Sequence, residues 1–170
     1  MNNIKKLIGT KKFYTKTLAI AVPIMIQNGI SNFVGLLDNL MIGQIGTNAL
    51  SGVSIANQLI FVYFLVIFGI TAGVGIFTAQ FHGTGDVEGV RYSFRFKLIA
   101  NTFMTLVCIG ILYLGKTYLI NSFLHGEGAP SDAYETLRIG EQYLVVMLLG
   151  LIPNGITQAY AGTLRETGET

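Results

Sequence analysis

Long apolar stretches dominate the pattern of side chains along this chain. The 64 residues from 18 to 81 include a single charged side chain, that of Asp38. Two further stretches without charge cover residues 98–115 and 142–164. Because a helix rises about 1.5 Å per residue, roughly 20 apolar residues cross the hydrocarbon core of a bilayer. The pattern therefore predicts transmembrane helices, and it lacks the period-two alternation of a membrane β-barrel.

The longest of these stretches is long enough for two helices. Residues 43–48 read Gly-Gln-Ile-Gly-Thr-Asn, a composition typical of a tight turn. We therefore predict an all-α membrane protein, a polytopic bundle of four transmembrane helices that follows an N-terminal cytoplasmic tail over residues 1–14. The predicted helices cover about 15–42, 49–81, 94–114 and 137–163.

Composition supports a membrane protein and excludes other classes. Hydrophobic residues make up 51% of the chain and charged residues only 12%, whereas an ordinary soluble domain is about 25% charged. Disordered segments need low hydrophobicity and high charge, so disorder is excluded as well. The net charge of +2 is too small to suggest a nucleic-acid partner.

Basic residues predict the orientation in the plasma (inner) membrane. Lysines and arginines are enriched in cytoplasmic segments near membrane helices. Nine of the 11 lie in the N-terminal tail, the second connection or the C-terminal end: Lys5, Lys6, Lys11, Lys12, Lys16, Arg91, Arg95, Lys97 and Arg165. The remaining two lie on the outer side, Lys116 in the connection predicted over 115–136 and Arg138 just after it. Both ends of this multi-pass chain are therefore predicted in the cytoplasm.

Polar side chains on the first helix are candidates for a binding site. Two neighbouring rows form one polar surface, with Gln27, Ser31 and Asp38 in one row and Asn28, Asn32 and Asn39 in the other. Polar groups in lipid usually face a cavity or another helix. A structural alternative is that the amides bond across helices and that Asp38, five residues before the turn, reaches the interface.

The other predicted helices carry weaker candidates. Asn154 and Gln158 are four residues apart on one face of the fourth helix, and Tyr143 lies further along it. Pro23 and Pro153 remove a backbone hydrogen bond each, which favours a helix bend. Gly69 and Gly73 fit the GxxxG pattern, and Gly35 lies four residues after Ser31, so both pairs are predicted at close helix contacts.

Enzyme chemistry has little support in the sequence. No HExxH, CxxC, GxSxG or Walker motif is present, so we predict no enzyme and no cofactor. The segment from His82 to Asp86 is instead predicted as a tight turn, with Asp86 capping the next helix. None of these motifs predicts a metal site.

Three motifs resemble the multidrug and toxic compound extrusion (MATE) family. The first helix has Pro23, followed by Leu-Asp-Asn-Leu-Met-Ile-Gly-Gln-Ile-Gly over residues 37–46. Residues 79–86 end in Gly-Thr-Gly-Asp, as the family's second connection does. The ending Leu-Arg-Glu-Thr-Gly-Glu-Thr is similar to the family's Leu-Arg-x-x-Gly-Asp-Thr, with Glu169 in place of Asp.

The resemblance implies a secondary-active antiporter that exports small organic, often cationic, compounds in exchange for Na⁺ or H⁺. Family members have twelve helices in two lobes, so the chain is predicted to be truncated and to correspond to the first four helices of the N-terminal lobe. Asp38 then matches the residue that binds the cation or proton. The remaining helices of the same transporter, the bilayer and the small organic substrate are its predicted partners.

The substrate cavity is predicted near the middle of the bilayer. Its predicted lining residues are Gln27, Ser31, Asn39, Asn154 and Gln158. Two alternatives remain open. One is a lipid-linked sugar flippase of the same superfamily, although the first two predicted helices hold no Lys or Arg after Lys16 to bind phosphates. The other is a four-helix membrane scaffold that does not transport.

Overall fold

Four long α-helices make up the chain in the computed structural model, which describes residues 10–124 and 130–169. They are α1 (Lys11–Gly43), α2 (Thr47–Thr84), α3 (Val87–Phe123) and α4 (Pro130–Thr167). Each one includes a segment that is long and apolar enough to cross a membrane. The prediction of an all-α, four-helix membrane bundle is confirmed.

The helices extend beyond the apolar stretches that reveal them in the sequence. α3 begins at Val87 rather than near residue 94, and it continues to Phe123. α4 begins at Pro130, so most of the connection predicted over 115–136 is helical. Backbone hydrogen bonds do not require an apolar side chain, and a helix can therefore continue past the hydrocarbon core into water. The hydrophobic pattern alone marks only the part of each helix that lies in lipid.

The turn between α2 and α3 consists of Gly85 and Asp86 alone. Gly85 has φ = 78°, the left-handed conformation that glycine adopts without strain. The side chain of Asp86 accepts a hydrogen bond of 2.9 Å from the backbone N–H of Gly89 and caps α3. Both features agree with the predicted tight turn. We call this side of the bundle the α2–α3 end, and the side with the turn at residues 44–46 the α1–α2 end.

Helices α2, α3 and α4 pack around one apolar core. Its buried members are Ala56, Leu59, Ile60, Tyr63 and Ile67 from α2, Leu112 and Ile120 from α3, and Leu144, Leu148 and Leu151 from α4. All three helices contribute to it, and they also contact one another in every pair. We refer to them together as the three-helix unit.

The closest approach of two helices lies at Gly52 in α2 and Gly140 in α4. A Cβ atom at Gly52 would lie 2.6 Å from the carbonyl oxygen of Thr136 and 3.0 Å from the backbone nitrogen of Gly140. By contrast, the space beside Gly69 and Gly73 is open to 4 Å within the described chain. The close contact predicted at these two glycines is therefore not made within the described chain. The pattern identifies small residues but not the face that meets a neighbour.

Helix α1 lies at the edge of the three-helix unit. None of its described side chains is buried, and large apolar ones such as Phe33 and Met41 are 62% and 69% exposed. Gly35 has open space around it, so the close approach of another helix that was predicted at Ser31 and Gly35 is not found at Gly35 among the described residues. Most of the surface of α1 is therefore free to meet lipid or further helices.

Candidate functional site

Asp38 lies on α1, five residues before the last residue of that helix at the α1–α2 end. Its carboxylate is within electrostatic range of Tyr143 in α4. The Tyr143 hydroxyl in turn donates a hydrogen bond of 3.3 Å to Oδ1 of Asn57 in α2. Asp38 is exposed, whereas Asn57 and Tyr143 are half-buried. We call these three residues, contributed by three helices, the Asp38 cluster.

The polar residues nearer the start of α1 are separate from this cluster. Gln27 lines a cavity of about 280 Å³ between α1 and α4, together with Pro23, Arg165 and Glu169. Ser31 donates a hydrogen bond of 3.0 Å to the backbone carbonyl of Gln27, so its hydroxyl is occupied within its own helix. This cavity carries both charge signs and lies toward the α2–α3 end.

Asn39 and the polar pair on α4 have other surroundings. Asn39 is exposed. Gln158 lines a second cavity of about 210 Å³ between α2 and α4, with Thr71 and Glu166 among its neighbours. Asn154 is half-buried, and its Oδ1 atom is buried without a hydrogen-bond partner in the described chain. The five predicted lining residues therefore do not share one cavity among the residues that the structure describes.

Both prolines lie inside long helices. α1 contains Pro23 and α4 contains Pro153. The backbone carbonyl of Pro153 accepts a hydrogen bond of 2.9 Å from the Thr157 hydroxyl. This is a bond from a side chain to the carbonyl one turn earlier, and it does not replace the bond to the carbonyl of Leu149 that a proline at 153 lacks. Each helix continues through its proline, and the predicted bends stay predictions.

A row of buried polar side chains on α3 is the feature that the sequence analysis missed. It consists of Ser93, Lys97, Asn101 and Thr105. The four positions are spaced by four residues, so they lie on one face of the helix. That face packs between α2 and α4, and we call these residues the α3 polar row. The spacing is visible in the sequence and is the signal that could have revealed it.

Lys97 is the charged member of the row, and its placement corrects the sequence analysis. The second connection was predicted to contain it, yet it lies in the third turn of α3 and its side chain is 0% exposed. Its Nζ atom is 2.6 Å from Oε2 of Glu166 in α4. It also donates a hydrogen bond of 3.2 Å to the hydroxyl of Thr163. The residue therefore forms a buried ion pair between two helices.

Further along the row, hydrogen bonds join all three helices. Nδ2 of Asn101 donates to the hydroxyl of Thr71 in α2 at 3.1 Å and to the carbonyl of Gly155 in α4 at 3.4 Å. The hydroxyl of Tyr63 in α2 donates to the carbonyl of Leu151 in α4 at 3.0 Å. Unsatisfied polar groups in lipid cost several kcal/mol, so these bonds explain how the row is tolerated. Within this row, Oδ1 of Asn101 is buried without a hydrogen-bond partner among the described residues.

A metal centre built from the protein's own side chains is not found in the described chain, where no three His, Cys, Asp or Glu residues come together. Four apolar helices, an acidic residue on one of them and buried polar contacts between the others are typical of polytopic membrane transporters. The MatE family profile matches residues 23–170. The chain belongs to this family, whose members are multi-pass membrane transporters and not enzymes.

Curated relatives are similar over most of the chain. The protein described as probable multidrug resistance protein NorM of Deinococcus radiodurans is 27% identical over 152 residues, which cover 89% of this chain and 32% of that protein. The protein of the same description from Thermotoga maritima is 27% identical over 157 residues, 90% of this chain and 32% of its own length. The chain thus spans about a third of these relatives. No solved structure gives a significant match.

Proposed function

We propose that this chain is the N-terminal part of a secondary-active antiporter that exports small organic, often cationic, compounds in exchange for Na⁺ or H⁺. Membership of the MatE family supports the transporter class. The description of the relatives as probable multidrug resistance proteins supports the export of varied compounds. In this proposal the Lys and Arg distribution places the α2–α3 end, and with it both ends of the chain, in the cytoplasm.

The observation that carries the proposal is the environment of Asp38. It is the one acidic residue in α1 and α2. A carboxylate within a membrane segment is costly and usually marks an ion pathway. Tyr143 is within electrostatic range of this carboxylate and is hydrogen-bonded to Asn57, which adds a hydroxyl and an amide to the same region. Oxygen atoms of these kinds are suitable ligands for Na⁺, and the carboxylate alone is sufficient to accept a proton.

Exchange requires that loading of the ion and loading of the compound oppose each other. An ion at Asp38 neutralises the carboxylate and removes its attraction for a cationic compound. The compound in turn lowers the affinity for the ion by the same factor, because coupling between two sites is reciprocal. Gln27, Ser31, Asn39, Asn154 and Gln158 are proposed to line the path of the compound. Further helices of the whole transporter would complete this path and supply further ion ligands.

The proposal predicts that Asp38→Asn strongly reduces ion-driven export. Asparagine keeps the size of the side chain but fixes it as neutral, so the site no longer changes charge during the cycle. We expect at least about a tenfold slower efflux, which corresponds to ~1.4 kcal/mol. The measurement is efflux of a cationic dye from vesicles that contain the full-length protein, driven by an imposed Na⁺ or H⁺ gradient.

Asn32→Ala is the matched control because Asn32 is an exposed polar residue of the same helix. Its efflux rate should stay within about twofold of wild type, as a surface amide contributes little. Protein levels in the vesicles are equalised by blotting. Wild-type efflux by Asp38→Asn would show that Asp38 is an interfacial acid without a coupling role.

A further inference from the structure

The buried ion pair of Lys97 and Glu166 is a second charged site, far along the bundle from the Asp38 cluster. Lys97 is sealed inside the three-helix unit with 0% of its side chain exposed, whereas Glu166 is 17% exposed. The short 2.6 Å distance indicates a charge-assisted hydrogen bond. Because the two charges compensate each other, the pair adds no net charge to the bundle.

Glycines on two helices make room for this pair. A Cβ atom at Gly75 of α2 would overlap the carboxylate of Glu166. A Cβ atom at Gly162 of α4 would lie 2.5 Å from Cγ2 of Thr71 and 3.7 Å from Nζ of Lys97. Glycines of α2 and α4 therefore leave space for the pair formed by Lys97 of α3 and Glu166 of α4. An incidental contact between two long side chains would not need this space.

Stability alone is a poor explanation for such a pair. Removing two charges from water costs several kcal/mol per ion, and well-packed apolar residues in their place are often equally stable or more stable. The three-helix unit already has a separate apolar core between α2, α3 and α4. Ionisable residues inside a membrane bundle are by default candidates for function.

The position of Glu166 connects the pair to the proposed path of the compound. Gln158, Gly162 and Glu166 are spaced by four residues along α4, and all three line the cavity of about 210 Å³ between α2 and α4. Through its ion pair with Glu166, Lys97 is therefore bonded to the same face of α4 that includes Gln158.

We propose that Lys97 and Glu166 are positioning residues for transport, because their paired charges hold the polar face of α4 against α3 and α2. The inference rests on the proposed export function. The pair fixes the position of α4, which the size of the two side chains alone would not do. Two apolar side chains of similar size would fill the same space, yet they would not fix α4 at one position, since apolar contacts are non-directional.

The test compares charge with bulk in the full-length protein. Lys97→Met combined with Glu166→Met keeps the bulk and leaves no unpaired charge, whereas Lys97→Arg keeps the charge. Lys116→Met combined with Glu141→Met is the matched control, because that pair is 3.9 Å apart and partly exposed. We expect dye efflux per folded protein to fall about tenfold in the first double variant, as for a loss of ~1.4 kcal/mol of interaction, and to stay near wild type in the other two.

A second readout does not depend on transport. In a Cys108→Ser background, Gln158→Cys reports on the face of α4 through its rate of reaction with a water-soluble maleimide in lipid nanodiscs. The thiol introduced by Gln158→Cys should react about tenfold faster in the protein with Lys97→Met and Glu166→Met than in the protein that keeps Lys97 and Glu166, because α4 is less firmly held without the ion pair. Gly75→Ala should give a change of the same direction, because it displaces Glu166 without removing a charge, while Gly73→Ala should give none.

Each outcome decides one of the two proposals. Wild-type efflux and wild-type labelling in the charge-free double variant would overturn the positioning role, because bulk would then be sufficient. If that variant is not recovered as folded protein, Gly75→Ala decides by the same two readouts. Absence of ion-driven efflux in the wild-type protein would refute the proposed function, and the labelling rates would still establish whether the charges position α4.

Discussion

Polar side chains are exposed on helix α1, whereas a row of them is buried in the three-helix unit. On α1 the amide side chains of Gln27, Asn28, Asn32 and Asn39 are exposed and make no hydrogen bond to another helix in the described chain. On α3 the polar row is buried, and the side chains of Lys97, Asn101 and Thr105 bond to α2 or α4 over distances of 2.6–3.4 Å. The same residue types are therefore available for ligands on one helix and used for packing on the other.

This difference indicates where movement and where rigidity reside. Bonded polar groups in lipid resist separation of the helices that share them, since each separated group would lose its partner without gaining water. The three-helix unit is held together in this way and by its apolar core. Among the described residues α1, which carries Asp38, shows neither kind of restraint, so we expect α1 to change its position relative to the unit at lower cost than the other helices do.

Removal of one charge from the buried pair should have the largest effect on stability. Glu166→Met leaves Lys97 as an unpaired, fully buried charge, and we expect a loss of about 3–5 kcal/mol in the free energy of unfolding. Titration of the purified chain from mild detergent into SDS, followed by circular dichroism, measures this loss. Glu141→Met, from the partly exposed pair, should cost less than about 1 kcal/mol. Equal losses would mean that Lys97 is not buried in the folded protein.

An added methyl group should separate α2 from α4 at their closest point. Gly52→Ala places a Cβ atom against backbone atoms of Thr136 and Gly140, which have no freedom to rotate away. We expect a loss of about 1–3 kcal/mol in the same titration, as for overpacked interiors. Gly73→Ala, with open space around it, should be close to neutral. A larger effect at Gly73 than at Gly52 would reverse the assignment of the packing face.

The smallest changes in the free energy of unfolding are expected when single hydrogen-bonding groups are removed, and they should differ between the three-helix unit and α1. Tyr63→Phe removes the hydrogen bonds to Leu151 and Thr105, so a loss of about 0.6–1.7 kcal/mol is expected. Tyr118→Phe, at a hydroxyl-bearing ring that is 79% exposed, should change the free energy of unfolding by less than about 0.5 kcal/mol. Asn32→Ala on α1 should be equally mild. A cost at Asn32 as large as that at Tyr63 would show that α1 is restrained like the other helices.

The candidate site was only partly accessible from sequence. Asp38 stands out because it is the single charge in 64 residues, and isolated charges in apolar stretches are rare. Its neighbours Asn57 and Tyr143 come from α2 and α4, and no spacing along the chain relates them. Lys97 was assigned to a connection because three basic residues within seven positions are typical of a cytoplasmic loop. Its burial depends on Glu166, 69 residues further along.

The sequence by itself determined the number of helices, the capped turn at Gly85 and Asp86, and the motifs of the MatE family. These features depend on local hydrophobicity, backbone conformation and helix capping, which a short segment specifies alone. The tertiary structure decided which polar row is buried, which glycines meet and which charge has a partner. Periodicity shows which residues share a face of a helix, but in lipid an apolar face suits both lipid tails and another helix. Which faces meet is therefore settled only when the helices pack together.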